Sequence, residues 1–358
     1  MLLDADVERL TIADRDRSAA EALAAADASG RTQALEWNAH DHAATVRAMG
    51  AHDLVASTVG PFFRFESKMI TAALEAGVDY VSVCDEWDVV AETIERFDAP
   101  ARRAGRRIIT GLGASPGLSN VAARALVDLM AARGGSARRI DVSVFIPLNS
   151  GAGPAALRHG LHIMSGHVRS RRGGQDARTR ACSESQVVDF GPLGRQRIWN
   201  MGHAEPVTLP RALPQLTDVA FSMGYGAGSQ LLVWPAQWGW FDTERGADGW
   251  AKRYAWLEHR LPGRAKPCAV RVDVYGGTEH LMAMGCGSMA DGTGLALSIG
   301  ARMLGRGALT ADAGVGVLAP EACFDPVAFL TALDAKGLRV YADTALTRPL
   351  LAELEAGV

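Results

Sequence analysis

The sequence predicts an α/β fold: a doubly wound parallel sheet of the Rossmann type without its first strand, joined to a second α+β domain with a mixed sheet. Three observations predict it. The chain opens on a short apolar strand, Arg9 to Asp14, that ends in a carboxylate and has no glycine-rich turn before it. Three further strands each run into a polar or glycine-rich loop and then a helix, the rhythm of a parallel sheet. Beyond about Arg133 the strands alternate apolar and polar residues, as a half-exposed sheet requires. Residues 1–120 are therefore expected to form an incomplete dinucleotide-binding domain. Residues 121–358 are expected to form the second domain, with its late helices packing back on the first.

The elements follow in order. After the strand ending at Asp14, Ser18 to Ala28 is an alanine-rich helix. Asp53 to Thr58 is a buried strand stopped by Gly60 and Pro61, and the helix from Glu66 to Ala76 ends at Gly77, a position suited to a left-handed cap. Tyr80 to Cys84 is the next strand, closing on Asp85 and Glu86. The helix from Val89 to Ala104 ends at Gly105, and Arg107 to Thr110 runs into the loop Gly111 to Gly117. In open α/β sheets the carboxyl edge is where ligands bind, so these loops are expected to line one cleft holding Pro61 and Pro116. In the second domain Ile140 to Phe145 and Cys268 to Tyr275 read as strands. Gly294 to Gly305 and Phe324 to Ala335 read as helices, the latter started by Asp325 and Pro326. The arginine-rich tract Arg169 to Arg180 reads as a solvated hairpin or loop.

In a dinucleotide-binding unit, the acid that holds the adenosine ribose lies about 20 residues after the G-x-G-x-x-G turn. If Asp14 is that acid, the turn falls before Met1, and the first glycine present is Gly30. Either the native start lies upstream or this polypeptide has shed the loop; as given, it is expected to bind dinucleotide poorly.

Composition narrows the function. The chain has 358 residues, 48% hydrophobic and 22% charged, with a formal net charge of -3. No basic footprint marks nucleic acid or an anionic membrane as partner, so a small-molecule substrate is expected. The five cysteines, Cys84, Cys182, Cys268, Cys286 and Cys323, are scattered without C-x-x-C spacing, which predicts neither a disulfide framework nor a zinc site. Together with the absence of a long apolar run, they predict a cytoplasmic protein.

Several motifs, weak singly but ordered along nearly the whole chain, carry a resemblance. Val59-Gly-Pro-Phe62, Tyr80 through Asp85-Glu86, Gly113-Ala-Ser-Pro-Gly-Leu-Ser-Asn120, Gly292 to Gly300, Gly316-Val-Leu-Ala-Pro-Glu321 and Lys336 to Val340 resemble the saccharopine dehydrogenase-like oxidoreductases, which include lysine 6-dehydrogenase and carboxynorspermidine dehydrogenase. The resemblance implies hydride transfer between a nicotinamide cofactor and the carbon of a C–N bond in an amino acid or polyamine precursor. It implies that Asp14 binds the adenosine ribose, favouring NAD over NADP, with Arg15 and Arg17 near enough to offset that charge. Thr58, Gly60, Pro61 and Phe62 would pass under the cofactor, and Ser115, Pro116 and Gly117 would wall its cleft. Asp85 and Glu86 would face the nicotinamide ribose or the substrate amine. Ser119 and Asn120 would offer donors to a substrate carboxylate.

Each of these residues has a plainer reading. Asp14 also suits an exposed turn, Gly60-Pro61 a loop breaker, and Asp85-Glu86 a helix cap. His203, with Glu205 two residues on, is the second domain's candidate for proton transfer or a structural histidine. His159, His162 and His167 have no neighbouring carboxylate or cysteine in sequence, so no metal site is expected. Trp234, Trp238, Trp240, Trp250 and Trp256 crowd one region and suit a local core, a ligand wall or a homodimer interface. The activity expected is NAD(P)-dependent oxidoreduction at an amine or imine carbon. The alternatives are a noncatalytic dimeric relative that has lost cofactor binding and, more weakly, an enoyl or carbonyl reductase of the same fold.

Overall fold

The computed structural model describes residues 6–147, 154–226, 229–258 and 267–357. The first part of the chain alternates β1 (Leu10–Asp14), α1 (Arg17–Ala25), β2 (Thr32–Glu36), α2 (His42–Met49), β3 (Leu54–Ser57), α3 (Phe62–Ala76), β4 (Asp79–Ser82), α4 (Trp87–Ala104), β5 (Arg107–Ile109) and α5 (Leu118–Ala132). There follow β6 (Arg139–Phe145), α6 (Pro154–Ile163), β7 (His167–Arg172), β8 (Gln175–Arg180), β9 (Ser185–Asp189), β10 (Arg195–Asn200), α7 (Glu205–Ala212) and β11 (Asp218–Gly224). The chain closes with α8 (Gln230–Gln237), α9 (Glu244–Glu258), β12 (Cys268–Gly276), β13 (Glu279–Gly287), α10 (Met289–Gly305), β14 (Gly316–Leu318), α11 (Pro320–Cys323), α12 (Pro326–Asp334) and α13 (Leu350–Ala356).

The parallel sheet comes in two pieces. One has the order β14-β5-β4-β3, and the other is the pair β1-β2; among the described residues no ladder joins β1 to β3. The strand β2 and helix α2 are absent from the sequence reading. Thr-Gln-Ala-Leu-Glu has few of the β-branched or aromatic residues that mark a strand, and it forms one by pairing along the whole of β1. A second difference lies at the opposite edge. Residues 316–318 supply β14 beside β5, so the sheet is not built from residues 1–120 alone. Three residues give no periodicity to read.

Helix ends follow their chemistry. The left-handed caps stand at Gly77 and Gly105, with φ of 68° and 64°. Asp325 caps α12 by accepting from the Ala328 N–H, with Pro326 in the first turn. The helix α3 begins at Phe62, four residues before the expected Glu66, and α10 begins at Met289, where the Ser288 hydroxyl accepts from the Asp291 N–H. The arginine tract forms the hairpin β7-β8, turning at Gly173 and Gly174.

The second sheet has the order β13-β12-β6-β11-β10-β9, with β7 beside both β11 and β8. It is mixed as expected: β6 and β11 are parallel and its other ladders antiparallel. Helix α5 links the two sheets. It packs against β12 and β13 on one side and against α11 and α12 on another, and from Leu118 to Met130 nearly every residue is buried. Leu126, Met130, Ile140, Phe324 and Phe329 form the heart of this core, at about 1.5–3 kcal/mol for each large apolar side chain removed from water. The chain ends of β3, β4 and β5 are thereby held against the second domain.

Candidate active site

The loops after β3, β4 and β5 leave the same edge of the sheet. Parallel pairing fixes this, and the pairing extends past the strand ends: Val83 N–H donates to Ser57 O (3.3 Å) and Leu112 N–H to Ser82 O (2.8 Å). At Gly111 a left-handed backbone brings the chain so close that an added Cβ would lie 2.9 Å from Pro116 Cγ and 3.5 Å from the Cys84 carbonyl oxygen. The Phe63 N–H, in the first turn of α3, donates to Glu86 Oε2 (2.6 Å), tying the loop after β3 to the loop after β4.

A histidine–carboxylate cluster stands on this edge. Asp85 and Glu86 follow β4. Glu86 is completely buried at the N-terminus of α4, yet its side chain caps nothing there; it reaches Phe63 and, through Oε1, His159 Nδ1 at 3.3 Å. His159 comes from α6 of the second domain and places Nε2 3.1 Å from Asp85 Oδ2. One turn further along α6, His162 lies 3.1 Å from Asp88 Oδ2, its ring stacked on Phe63 at 4.7 Å. His203, just before α7, places Nε2 3.7 Å from Asp85 Oδ2 and Nδ1 2.5 Å from Glu205 Oε2. Its ring lies flat on Phe221, centroids 3.9 Å apart. Gly202 makes this possible: a Cβ there would meet Trp87 Cδ1 at 2.6 Å.

The electrostatics follow from burial. Desolvation works against ionisation of Asp85, but the charge and hydrogen bond of His159, then the contact with His203, hold its carboxyl well below the usual range. His159 is pushed up to about 10 against its burial, by Asp85 first and Glu86 second. His203 rises to about 9 against burial, with Glu205 and Asp85 the causes. Behind the cluster Glu66 is buried and rises to about 7, although it accepts hydrogen bonds from Ser82 and Tyr80.

Most of the predicted polar residues meet here, with changed roles. Asp85, Glu86 and His203 share one cluster, and Pro61 and Pro116 lie on loops of one edge. Ser119 and Asn120, expected to offer donors to a substrate, are a correction: both are buried and occupied. Ser119 Oγ donates toward Glu205 Oε1 (3.1 Å), while Asn120 accepts from the Gly117 N–H and donates to Thr208 and Glu321. Ser115 Oγ also donates to Glu205 Oε1, at 2.5 Å. The Gly113–Asn120 motif thus holds Glu205 in place. Phe62 is likewise a core residue, packed among Cys84, Val90 and Ala204 rather than lying open to a cofactor.

The residues expected on the nucleotide side are more open. Asp14 and Arg15 are exposed at the carboxyl end of β1, where Asp14 Oδ1 accepts from the Asp16 N–H; Thr58 is exposed at the end of β3. Gly60 and Pro61 are half-buried, and a Cβ at Gly60 would meet only Ala155 Cβ of α6, at 3.9 Å. The residue that sequence reasoning left out of the site is His159; Glu205 enters that reasoning only beside His203. The expectation that no carboxylate accompanies the histidines of α6 is corrected too, since Asp85, Glu86 and Asp88 come to them across 73 or 74 residues. No local signal links those positions; the approach of α6 to the loop after β4 does. Trp234, Trp238 and Trp240 are 60%, 73% and 47% exposed, which removes the core reading for them; the side chain of Trp256 and the start at Met1 lie outside the described residues.

Comparison with known proteins agrees with this architecture. Residues 1–109 match the family described as the saccharopine dehydrogenase NADP binding domain. Among solved structures, apo saccharopine dehydrogenase (L-Glu forming) from Saccharomyces cerevisiae aligns over 95% of each chain with a TM-score of 0.65 and 14% identity. A meso-dapdh mutant from Clostridium tetani, solved with DAP, aligns over 87% of this chain and 93% of its own, with a TM-score of 0.43 and 10% identity. Among the described residues no helix is long and apolar enough to cross a membrane. Residues 1–109 are thus similar to the NADP binding domain of the saccharopine dehydrogenases, and the chain as a whole has the fold of the yeast enzyme.

Proposed function

We propose that this protein is an NAD(P)-dependent oxidoreductase acting at the amine or imine carbon of a small amino acid or polyamine precursor in the cytoplasm. The observation that carries the reading is the placement of the cluster. Asp85, Glu86, His159, His203 and Glu205 converge from both domains on the carboxyl edge of a domain that matches an NADP binding family. In this reading Asp14 and Arg15 take the adenosine ribose, and Thr58, Gly60, Pro61, Ser115, Pro116 and Gly117 border the rest of the cofactor. Phe62 supports that loop from below. The cofactor, when bound, supplies the hydride. Asp85, Glu86 and His203 face the reacting C–N group. Asp14 favours NAD; Arg15 and Arg17 keep NADP in play.

The test is a fluorescence titration with NADH and NADPH, followed by a screen of primary and secondary amines for nicotinamide reduction. One reduced cofactor is expected to bind, weakly because no glycine-rich turn is among the residues that border it, and Asp85→Asn to lower turnover by about a hundredfold or more with that affinity kept. Binding of neither cofactor would overturn the reading in favour of a noncatalytic relative.

A homodimer is part of the proposal. Leu231 (68% exposed) joins Trp234, Trp238 and Trp240 in an apolar surface on and after α8, with Trp240 stacked on the half-buried Trp250 at 5.7 Å. Monomers rarely leave so many large apolar side chains in water. Sedimentation at micromolar concentration is expected to show a dimer that Trp238→Glu dissociates. A wild-type monomer would end the interface reading.

A further inference from the structure

We propose that Asp85, His159 and His203 form a binding site for a divalent transition-metal cation of the zinc type, with Glu86 and Glu205 orienting the two imidazoles. The donor set has the right types, number and spacing. One ligand atom from each of the three residues can be chosen so that all lie within 4.8 Å of one another. Bonds of about 2.0–2.2 Å from zinc to imidazole nitrogen and carboxylate oxygen place neighbouring donors of a tetrahedral site about 3.3 Å apart. The two Nε2 to Asp85 Oδ2 distances, 3.1 Å from His159 and 3.7 Å from His203, bracket that value. Three protein donors is also the number found where the fourth position takes water or a reacting group.

The surroundings argue for a cation more strongly than the three residues do. Both histidines turn their other nitrogen, Nδ1, onto a buried carboxylate: His159 onto Glu86 Oε1 at 3.3 Å and His203 onto Glu205 Oε2 at 2.5 Å. This is the carboxylate–histidine–metal arrangement that fixes ring tautomer and raises ligand basicity. The carboxylates are themselves anchored, Glu86 by the Phe63 N–H and Glu205 by Ser115 and Ser119. The second oxygen of Asp85, Oδ1, is buried and has no hydrogen-bond partner. Asp85, Glu86 and Glu205 bring three carboxylates to one site, and a dication held by neutral imidazoles carries the same charge as the two imidazolium protons that it displaces. The proposal stands whether or not the chain turns over a nicotinamide cofactor.

The experiment is metal binding to the whole chain after chelator treatment. Titration with Zn2+ by calorimetry is expected to give one equivalent at micromolar affinity or tighter. Co2+ in its place is expected to give the intense visible absorption of a four-coordinate site, a readout that needs no variant. His159→Ala and His203→Ala are each expected to abolish the cobalt spectrum, with circular dichroism confirming that the variants fold. Glu205→Gln is expected to weaken zinc by about 10–100-fold. A wild-type protein with no cobalt spectrum and no stoichiometric zinc would overturn the proposal. So would binding that survives His203→Ala but is lost in His162→Ala, which would place the ion instead among Glu86, Asp88 and His162.

Discussion

The two pieces of the parallel sheet are held by different forces. In β4, β5 and β14 the strands are sandwiched, and Tyr80, Val81, Ile108, Ile109 and Val317 are fully buried. In β1 and β2 no residue is buried, and Ala20 is the one buried residue of α1. Polar tethers fix that second piece instead: Asp6 to Arg302 and Arg306, Thr11 to His52, and Arg9 to the Ala51 carbonyl. Partly exposed polar pairs of this kind contribute little each, so the β1–β2 unit should open before the rest of the sheet. The buried piece carries Asp85 and Glu86 of the histidine–carboxylate cluster. The open piece carries Asp14 and Arg15, whose proposed work is on a ligand that arrives from solvent.

The largest expected effect tests burial directly. Ile108→Ala, at the centre of β5, should cost about 2–5 kcal/mol, while Ile12→Ala in β1 should cost less than about 1 kcal/mol. Urea unfolding of both variants checks the contrast. Equal losses would mean that the two pieces are equally well packed.

Next comes the buried carboxyl of Glu66. Below pH 4.5 the folded and unfolded chains both keep its proton; between 4.5 and about 7 the unfolded chain has released it and the folded one has not. Stability from this group is therefore fully present at low pH, falls as pH rises through that window by roughly 3 kcal/mol, and levels off above it. Glu66→Gln keeps an acceptor for Ser82 and removes the titration. Its melting temperature should fall less than the wild type's between pH 5 and pH 8, and parallel curves would refute the assignment.

Smaller again are the helix caps. Asp325→Ala removes the acceptor for the Ala328 N–H in the well-packed α12 and should cost about 1 kcal/mol. Asp16→Ala does the same at α1, where Asp16 accepts from the Ala19 N–H, but its helix is weakly packed and global unfolding should register less. Hydrogen exchange would show the α1 amides opening while α12 stays protected. The smallest effect on stability should come from Asp14→Ala, within about 0.5 kcal/mol because the side chain is exposed. Its consequence is expected in the ligand: weaker NADH binding relative to NADPH, measured by fluorescence titration.

Much of the fold was legible because local signals matched the tertiary outcome. Gly77, Gly105 and Asp325 end or begin helices by backbone and capping chemistry that acts within a few residues. The apolar strands at Tyr80 and Ile108 could be read because burial on both faces demands continuous apolar runs. The strand β2 could not, since Gln33 and Glu36 are tolerated only on a piece of sheet that stays exposed.

By itself the sequence determined the class of fold, the family resemblance, and the presence of Asp85, Glu86 and His203 near strand ends and helix starts, because each depends on neighbours within about one element. Tertiary structure alone decided that α6 lies across the end of β4, so that His159 meets Asp85 and Glu86. It also decided that Ser115 and Ser119 hydrogen-bond Glu205 and that Asn120 hydrogen-bonds Thr208 and Glu321. Those pairings join residues 73 to 201 positions apart. Their energy comes from desolvation and charge at contacts that exist only after the two sheets have packed around α5, and no periodicity or propensity along the chain encodes such a meeting.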